Sequence, residues 1–374
     1  MELSVRAILR SARRLRVAAS LLVLLLCSCA THREQTPVAA VELPREVRLN
    51  EKTGLWAPVC VQLQVNGGEP VVFVVDTGSS GTILDQSWEP KLGRRLRRLK
   101  VSTWNGRQTL HLYPAPSLSL DGTPLEIKRV ATCDLKQLGL PPWAHGILGI
   151  DCLRHYCVQM DFDAGVMRFL NSTNLDVAGL GTAFPLRLHS NVPWISVVGL
   201  AGGKSGSVLV DSGYDLDGVI RSGRERHSQK ITRLSSAQWS GNSYTNLQLR
   251  QSKKTAALGM RFLARHLVTF DFPHSTVYLK QTRVGPRAKV DLLEVIEFLK
   301  GLSHEGRLPG FQKGERGAIE VLKSSGDTVV SRKEHDSESL YYFEIKGGAG
   351  TPLAIEKAWR TDLNGQILEE YTKR

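Results

Sequence analysis

Val71–Asp85 reads VVFVVDTGSSGTILD, and Ser205–Ile220 reads SGSVLVDSGYDLDGVI. Each is a short Val-rich run that stops at an acidic residue, a hydroxyl residue and a glycine: Asp76-Thr77-Gly78 and Asp211-Ser212-Gly213. A β-branched run bounded by Gly and Ser predicts a buried strand ending in a tight turn. The two Asp lie 135 positions apart, and Trp104-Asn105-Gly106 and Trp239-Ser240-Gly241 recur at that same spacing. Farther on, GILGIDCLRHYCVQMDFDAGVMRFL (146–170) aligns with AALGMRFLARHLVTFDFPHSTVYLK (256–280) at an offset of 110. Leu148-Gly149 then meets Leu258-Gly259, and Asp161-Phe162 meets Asp271-Phe272. The second copy is thus 25 residues shorter, and the alignment places the missing stretch around DGTPLEIKRVATCDLKQLGLPPW (121–143). Landmarks kept in one order predict a duplicated unit over 51–282.

Around this unit the chain changes character. Its 374 residues are 41% hydrophobic and 23% charged, which suits two or three globular domains and excludes a disordered or collagen-like chain. Residues 1–28 carry Arg6, Arg10, Arg13, Arg14 and Arg16 against Glu2, followed by the uncharged run VAASLLVLLL (17–26). A basic start before about ten apolar residues predicts a secretory signal, too short for a transmembrane helix. Leu26-Cys27-Ser28-Cys29 resembles a bacterial lipobox, which makes Cys29 the expected lipidation site and residues 29–50 a polar, Pro-punctuated tether. The resemblance implies a lipid-anchored, periplasm-facing protein of the cell envelope, on the outer rather than the inner membrane. Removing 1–28 lowers the formal charge from +13 to +9. Residues 283–374 balance 15 Lys+Arg against 15 Asp+Glu, and DLLEVIEFLK (291–300) carries a helical apolar face. This tail is expected to be a separate small α+β domain.

A strand ending in Asp-Thr/Ser-Gly, followed downstream by an apolar-Gly turn, and present twice, resembles the aspartic protease superfamily. Two copies on one chain resemble pepsin-like enzymes, and the short copies with Leu-Gly-Ile-Asp-x-Leu resemble retropepsins. The resemblance implies an all-β, bilobed acid-protease fold of two retropepsin-like β-barrel lobes, at 51–175 and 176–282. It implies an endopeptidase in which Asp76 and Asp211 share one proton and activate a water. No cofactor or metal is needed. Thr77 and Ser212 are the expected cross-bonding hydroxyls, and Gly78 and Gly213 permit the sharp turns. Ser79 takes the position of a hydroxyl set against the carboxylate, whereas the second copy has Tyr214 there. Asp76 is therefore expected to be the more readily ionised partner. One chain supplies both Asp loops, which predicts a monomeric active unit.

The Trp-x-Gly turns are candidate flap tips that bind substrate: Trp104, Asn105 and Gly106 in one copy, Trp239 and Gly241 in the other. Surface hairpins with core Trp side chains are the alternative. The basic run Lys91–Lys100 suggests the solvated face of a short amphipathic helix, or a surface for anionic lipid. Cys60, Cys133, Cys152 and Cys157 permit disulfides in an exported protein or stand as buried thiols. His145, His155 and His266 lack metal-ligand spacing and read as structural, while Gly202–Ser205 reads as a hairpin turn. No aromatic-basic stripe or zinc spacing points to nucleic acid. The partner implied is a peptide or protein substrate, besides the membrane. Two rival readings are a catalytically inactive peptide-binding lipoprotein and a structural envelope lipoprotein.

Overall fold

The computed structural model describes residues 46–372 apart from 51–52, 55–56, 104–105, 141, 199, 201–204, 222–230, 253–254, 288–291, 310–318, 326–327, 335–338, 349–350 and 363–365. The described residues are mostly β-strand with few helices. Cys29 and the signal segment lie outside them, as do Trp104 and Asn105. Among the described residues no helix is long and apolar enough to cross a membrane.

The first copy builds a nine-stranded sheet from alternating runs that bury one face. After an edge strand β1 (Glu46–Arg48), its strands are β2 (Cys60–Val65), β3 (Val71–Val75), β4 (Ile83–Asp85), β5 (Arg97–Thr103), β6 (Gly106–Pro114), β7 (Leu118–Leu120), β8 (Thr123–Pro124), β9 (Arg129–Cys133) and β10 (Gly146–Leu148). The chain continues through β11 (Cys157–Asp161) and β12 (Val166–Leu170). The second copy supplies β13 (Thr182–His189), β14 (Val192–Val198), β15 (Ser205–Val210), β16 (Gly218–Arg221), β17 (Ile231–Trp239), β18 (Asn242–Ser252), β19 (Ala257–Leu258), β20 (His266–Asp271) and β21 (Thr276–Gln281). These join β1, β12 and β11 in a twelve-stranded sheet ordered β1-β12-β11-β20-β21-β13-β14-β15-β19-β16-β18-β17. Both sheets have free ends, so no closed barrel forms among the described residues. Part of the expected tether is β1, which pairs with β12.

The duplication is visible in the register. β10 runs parallel to β3 and antiparallel to β4, and β19 bears the same relation to β15 and β16. Antiparallel β11 and β20 join the copies with Gln159 opposite Thr269, two positions related by the repeat offset of 110. A pseudo-twofold axis therefore passes through this pair, and the Gln159 Nε2 amide donates to Thr269 Oγ1 at 2.9 Å. One core runs through both copies, including Val75, Leu148, Val210 and Leu258.

Pairing also corrects the sequence alignment. β6 and β9 pair Leu112 with Ala131 about Asp121-Gly122, while β17 and β18 pair Ile231 with Arg250 about Ser240-Gly241. All four correspondences share an offset of 119, and both turns have positive φ at each residue: 48° and 78° in the first, 49° and 80° in the second. β9 lies parallel to β4 as β18 does to β16. The counterpart of the Trp239 turn is thus Asp121-Gly122, and the shared Trp-x-Gly spacing with Trp104 is coincidental. The missing residues are split. Ile83 and Leu112 are 29 apart where Val219 and Ile231 are 12 apart, and Ala131 and Ile147 are 16 apart where Arg250 and Ala257 are 7 apart. Among the described residues of the second copy, β5 has no counterpart.

Trp239 itself is core rather than flap. It is 4% exposed, stacked on Phe184 at 5.4 Å and edge-on to Phe262 at 5.3 Å. Gly241 is an exposed turn residue beside it. The basic run is no helix either. A 3-10 turn ends at Lys91 and β5 begins at Arg97, with Arg98 and Lys100 exposed between half-buried Leu99 and Val101. The four Cys are free and buried, and burial pushes the thiols of Cys60, Cys152 and Cys157 up to about 12. Buried His266 donates from Nδ1 to Phe262 O at 2.9 Å and accepts at Nε2 from Tyr244 Oη at 2.8 Å, and desolvation brings it down to about 4.

The tail folds as the helix Leu292–Glu305 on a five-stranded antiparallel sheet, β22 (Ile319–Ser325), β23 (Thr328–Glu334), β24 (Ser339–Gly348), β25 (Thr351–Asp362) and β26 (Ile367–Thr372). Val295 and Leu299 pack on Tyr341, Phe343 and Ile345. Because Trp239 fills the core, Trp239→Ala should lower unfolding stability by about 3–5 kcal/mol, read as a shifted urea midpoint. A flap-tip role would leave that midpoint in place.

Candidate active site

β3 and β15 are buried Val-rich strands, and each delivers its Asp to the pseudo-twofold axis. Their ends are held alike. Asp76 N donates to Leu148 O at 3.1 Å, and Asp211 N donates to Leu258 O at 2.9 Å. Ile150 N donates to Ser79 O at 2.9 Å, and Met260 N donates to Tyr214 O at 2.6 Å. Leu-Gly recurs because the loops press on it: a Cβ at Gly149 would lie 2.4 Å from Gly81 O, and one at Gly259 would lie 2.3 Å from Leu216 O.

Between the two loops the hydroxyls cross. Thr77 Oγ1 donates to Val210 O at 2.7 Å and accepts from Ser212 N at 2.9 Å. Ser212 Oγ donates to Val75 O at 2.8 Å and accepts from Thr77 N at 3.0 Å. Thr77 and Ser212 are both fully buried, so all four bonds form away from water. The crossing places each glycine against the other loop's carboxylate. A Cβ at Gly78 would lie 2.4 Å from Asp211 Oδ1, and one at Gly213 would lie 2.4 Å from Asp76 Oδ1. No larger residue fits at either position, and the two carboxyl groups are in hydrogen-bond contact.

The carboxylates are similar in their own loops and unequal in their surroundings. Gly78 N donates to Asp76 Oδ1 at 2.8 Å, and Gly213 N donates to Asp211 Oδ1 at 2.9 Å. Asp76 is half-buried and Asp211 is 3% exposed. Burial pushes the Asp76 carboxyl above its ordinary value, opposed by the Gly78 N–H, the Asp211 carboxyl and the N–H groups of Ser79 and Gly213. Burial pushes Asp211 well above its ordinary value, and the neighbouring Asp76 charge adds to it. Burial thus acts against charge on both, and more strongly on Asp211, which leaves Asp76 the more readily ionised member of the pair. Ser79 acts through its backbone N–H. Its hydroxyl instead donates to Gly81 O at 2.8 Å, so the expected hydroxyl–carboxylate contact does not form.

Tyr214 leaves the loop's backbone pattern unchanged. Its buried ring joins Leu209, Leu216 and Val219, and the Arg250 guanidinium lies 5.9 Å from its centroid. Beneath it Asp217, fully buried, pairs with Arg265 at 2.8 Å and Arg261 at 3.1 Å and brings the β16 end against β18.

Asp76 lines a cleft of about 1150 Å³, with Ser212 and Gly213 of the second loop, while buried Asp211 lies behind that lining. Leu99, Val101, Leu110 and Leu112 of β5 and β6 line it beside Asp76, and Tyr214, Leu216 and Gln248 line it beside Ser212 and Gly213. Gly106 begins β6 with φ of 108° and is exposed. Sequence reasoning missed the β5 liners, although the alternation in Leu99-Lys100-Val101-Ser102-Thr103 carries a period of two. It also missed Ile296, a cleft liner from the C-terminal helix, for which no local signal exists. Among the described residues no cluster of His, Cys, Asp and Glu could hold a metal ion.

Residues 61–152 match the model of a family described as aspartyl protease, which supports an aspartyl-protease-like family for the first copy. No curated protein matches the chain.

Two expected outcomes follow from the loops. Thr77→Val strands two buried partners, Ser212 N–H and Val210 C=O, at about 1–3 kcal/mol each, so urea unfolding should show a loss of about 2–6 kcal/mol that Thr77→Ser largely restores. For Asp211, a folded pKa raised above the unfolded one stabilises at pH below the ordinary carboxylate value, and that contribution is lost as pH rises through the folded value. Asp211→Asn should therefore gain stability over wild type at pH 7 and little at pH 3, measured as the difference in unfolding free energy at the two pH values.

Proposed function

We propose that this protein is an aspartic endopeptidase of the cell envelope, with Asp76 and Asp211 as its catalytic pair. The observation that carries the reading is the crossed Thr77–Ser212 hydrogen bonding, which sets the Asp211 carboxyl against that of Asp76, a lining residue of the cleft. The arrangement fits a bilobed acid-protease fold, one lobe per sequence copy. Asp76, as carboxylate, takes a proton from a water between the two groups. Asp211, as acid, donates to the scissile carbonyl oxygen, so that attack and protonation are concerted in direction. Thr77, Gly78, Ser79, Ser212 and Gly213 hold the pair in place. The substrate is a peptide in extended form, taken along the cleft beneath the β5–β6 hairpin, whose backbone is suited to strand-like pairing.

Among the described residues that hairpin belongs to the first copy. Both carboxylates come from one chain, which fits a monomeric active unit. In this reading the lipobox at Cys29 anchors the enzyme to the membrane and the tether lifts it off the surface.

The test is cleavage of a randomised peptide library by the full chain across pH 3–8, compared with Asp76→Asn and Asp211→Asn. The shared-pair mechanism expects cleavage to vanish in both single variants and to follow a bell-shaped pH profile. Activity that survives either substitution overturns it. Retained peptide capture with no cleavage at any pH establishes the inactive, peptide-binding alternative instead.

A further inference from the structure

The C-terminal helix reaches the cleft. Ile296 is one of its lining residues, as are Gln248, Ser252 and Thr255 of the second copy. The helix is tied to its own domain by Val295 and Leu299, both fully buried on the five-stranded sheet. Ile296 and Glu297 fall outside that buried face, and Glu297 Oε2 accepts from Arg233 Nη2 of β17 at 2.9 Å. The chain entering the helix is pinned as well: Val284 O accepts from Thr245 N at 3.1 Å and from Arg265 Nη1 at 3.0 Å.

The place where the helix arrives is the place where the second copy is deficient. β17 corresponds to β6, and β6 carries β5 on its outer edge while β17 ends its sheet among the described residues. In the first copy β5 contributes Leu99 and Val101 to the cleft, and the 3-10 segment between β9 and β10 contributes Leu138 and Leu140. Both of those stretches are the ones shortened in the second copy. The second copy lines the cleft with Trp194, Leu209, Tyr214, Leu216 and Met260, and Ile296 of the C-terminal helix is added to them.

We propose that the C-terminal domain completes the substrate cleft, with Ile296 as a specificity-determining residue that limits the size of the apolar peptide side chain bound on the second-copy side. This rests on the peptide-cleft reading above. The Arg233–Glu297 pair is exposed and contributes little, so helix position depends on the packing of Val295 and Leu299 and the informative position is Ile296.

The experiment profiles a peptide library varied one position at a time, using the full chain with Ile296→Ala, Ile296→Trp and Ile296→Val. Urea unfolding run in parallel confirms each variant is folded. Ile296→Ala should raise kcat/KM about ten-fold for Phe or Trp over Ala at a single substrate position and leave the other positions unchanged, Ile296→Trp should invert that preference, and Ile296→Val should stay near wild type. Unchanged profiles overturn the proposal. A uniform gain across every peptide overturns it too, because the helix is then a plug. The same variants in an Asp76→Asn background are profiled by peptide capture. Capture that occurs but ignores Ile296 overturns this inference alone, whereas failure of the wild-type chain both to cleave and to capture overturns the peptide-cleft reading and this one with it.

Discussion

The structure depends on four hydrogen bonds made by two hydroxyls. Thr77 and Ser212 each donate to the strand carbonyl and accept from the loop N–H of the opposite copy, in a fully buried setting. At about 1 kcal/mol net per bond they outweigh any exposed ion pair in the molecule, and breaking one leaves buried polar groups without water. They also act as a geometric constraint. With the loops crossed, Gly78 and Gly213 must lack side chains, and Asp76 and Asp211 must share one small volume.

From that constraint the asymmetry of the site follows. Two carboxylates in contact cannot both be charged; burial raises the better-buried Asp211 well above its ordinary value, whereas N–H donors from Gly78, Ser79 and Gly213 oppose the rise at Asp76. Around this nearly symmetric floor the walls diverge. The first copy retains β5 and the 3-10 segment before β10, both apolar toward the cleft. The second copy is shorter at both stretches, and Ile296 of the C-terminal helix lines the same cleft. A duplicated unit has thus kept its symmetric centre, where hydrogen bonding leaves no freedom, and lost it at the periphery, where any apolar surface can serve.

Much of this was legible in the residues. Asp-Thr-Gly and Asp-Ser-Gly at the ends of Val-rich strands, with Leu-Gly downstream, are tied to backbone geometry: a carboxylate at a strand end, a crossing hydroxyl, a glycine with no room for Cβ. Such requirements leave residue types at set positions. The Trp-x-Gly pair misled because its meaning is not local. Trp239 lies in the core between Phe184 and Phe262, and its turn matches Asp121-Gly122 by strand register, a relation invisible to residue identity. The basic run over 91–100 misled because Leu spacing suited a helix, while pairing with β6 made Arg97–Thr103 a strand.

By itself the sequence determined the duplication, the two acidic loops, their supporting hydroxyls and glycines, and a β-rich body with a distinct tail, because each is written in short-range residue patterns. Tertiary structure alone decided how deeply each carboxyl group is buried, where the second copy is shortened, and that Ile296 borders the cleft. Those depend on burial and on contacts between segments far apart in the chain, and no local pattern encodes a distance of that kind.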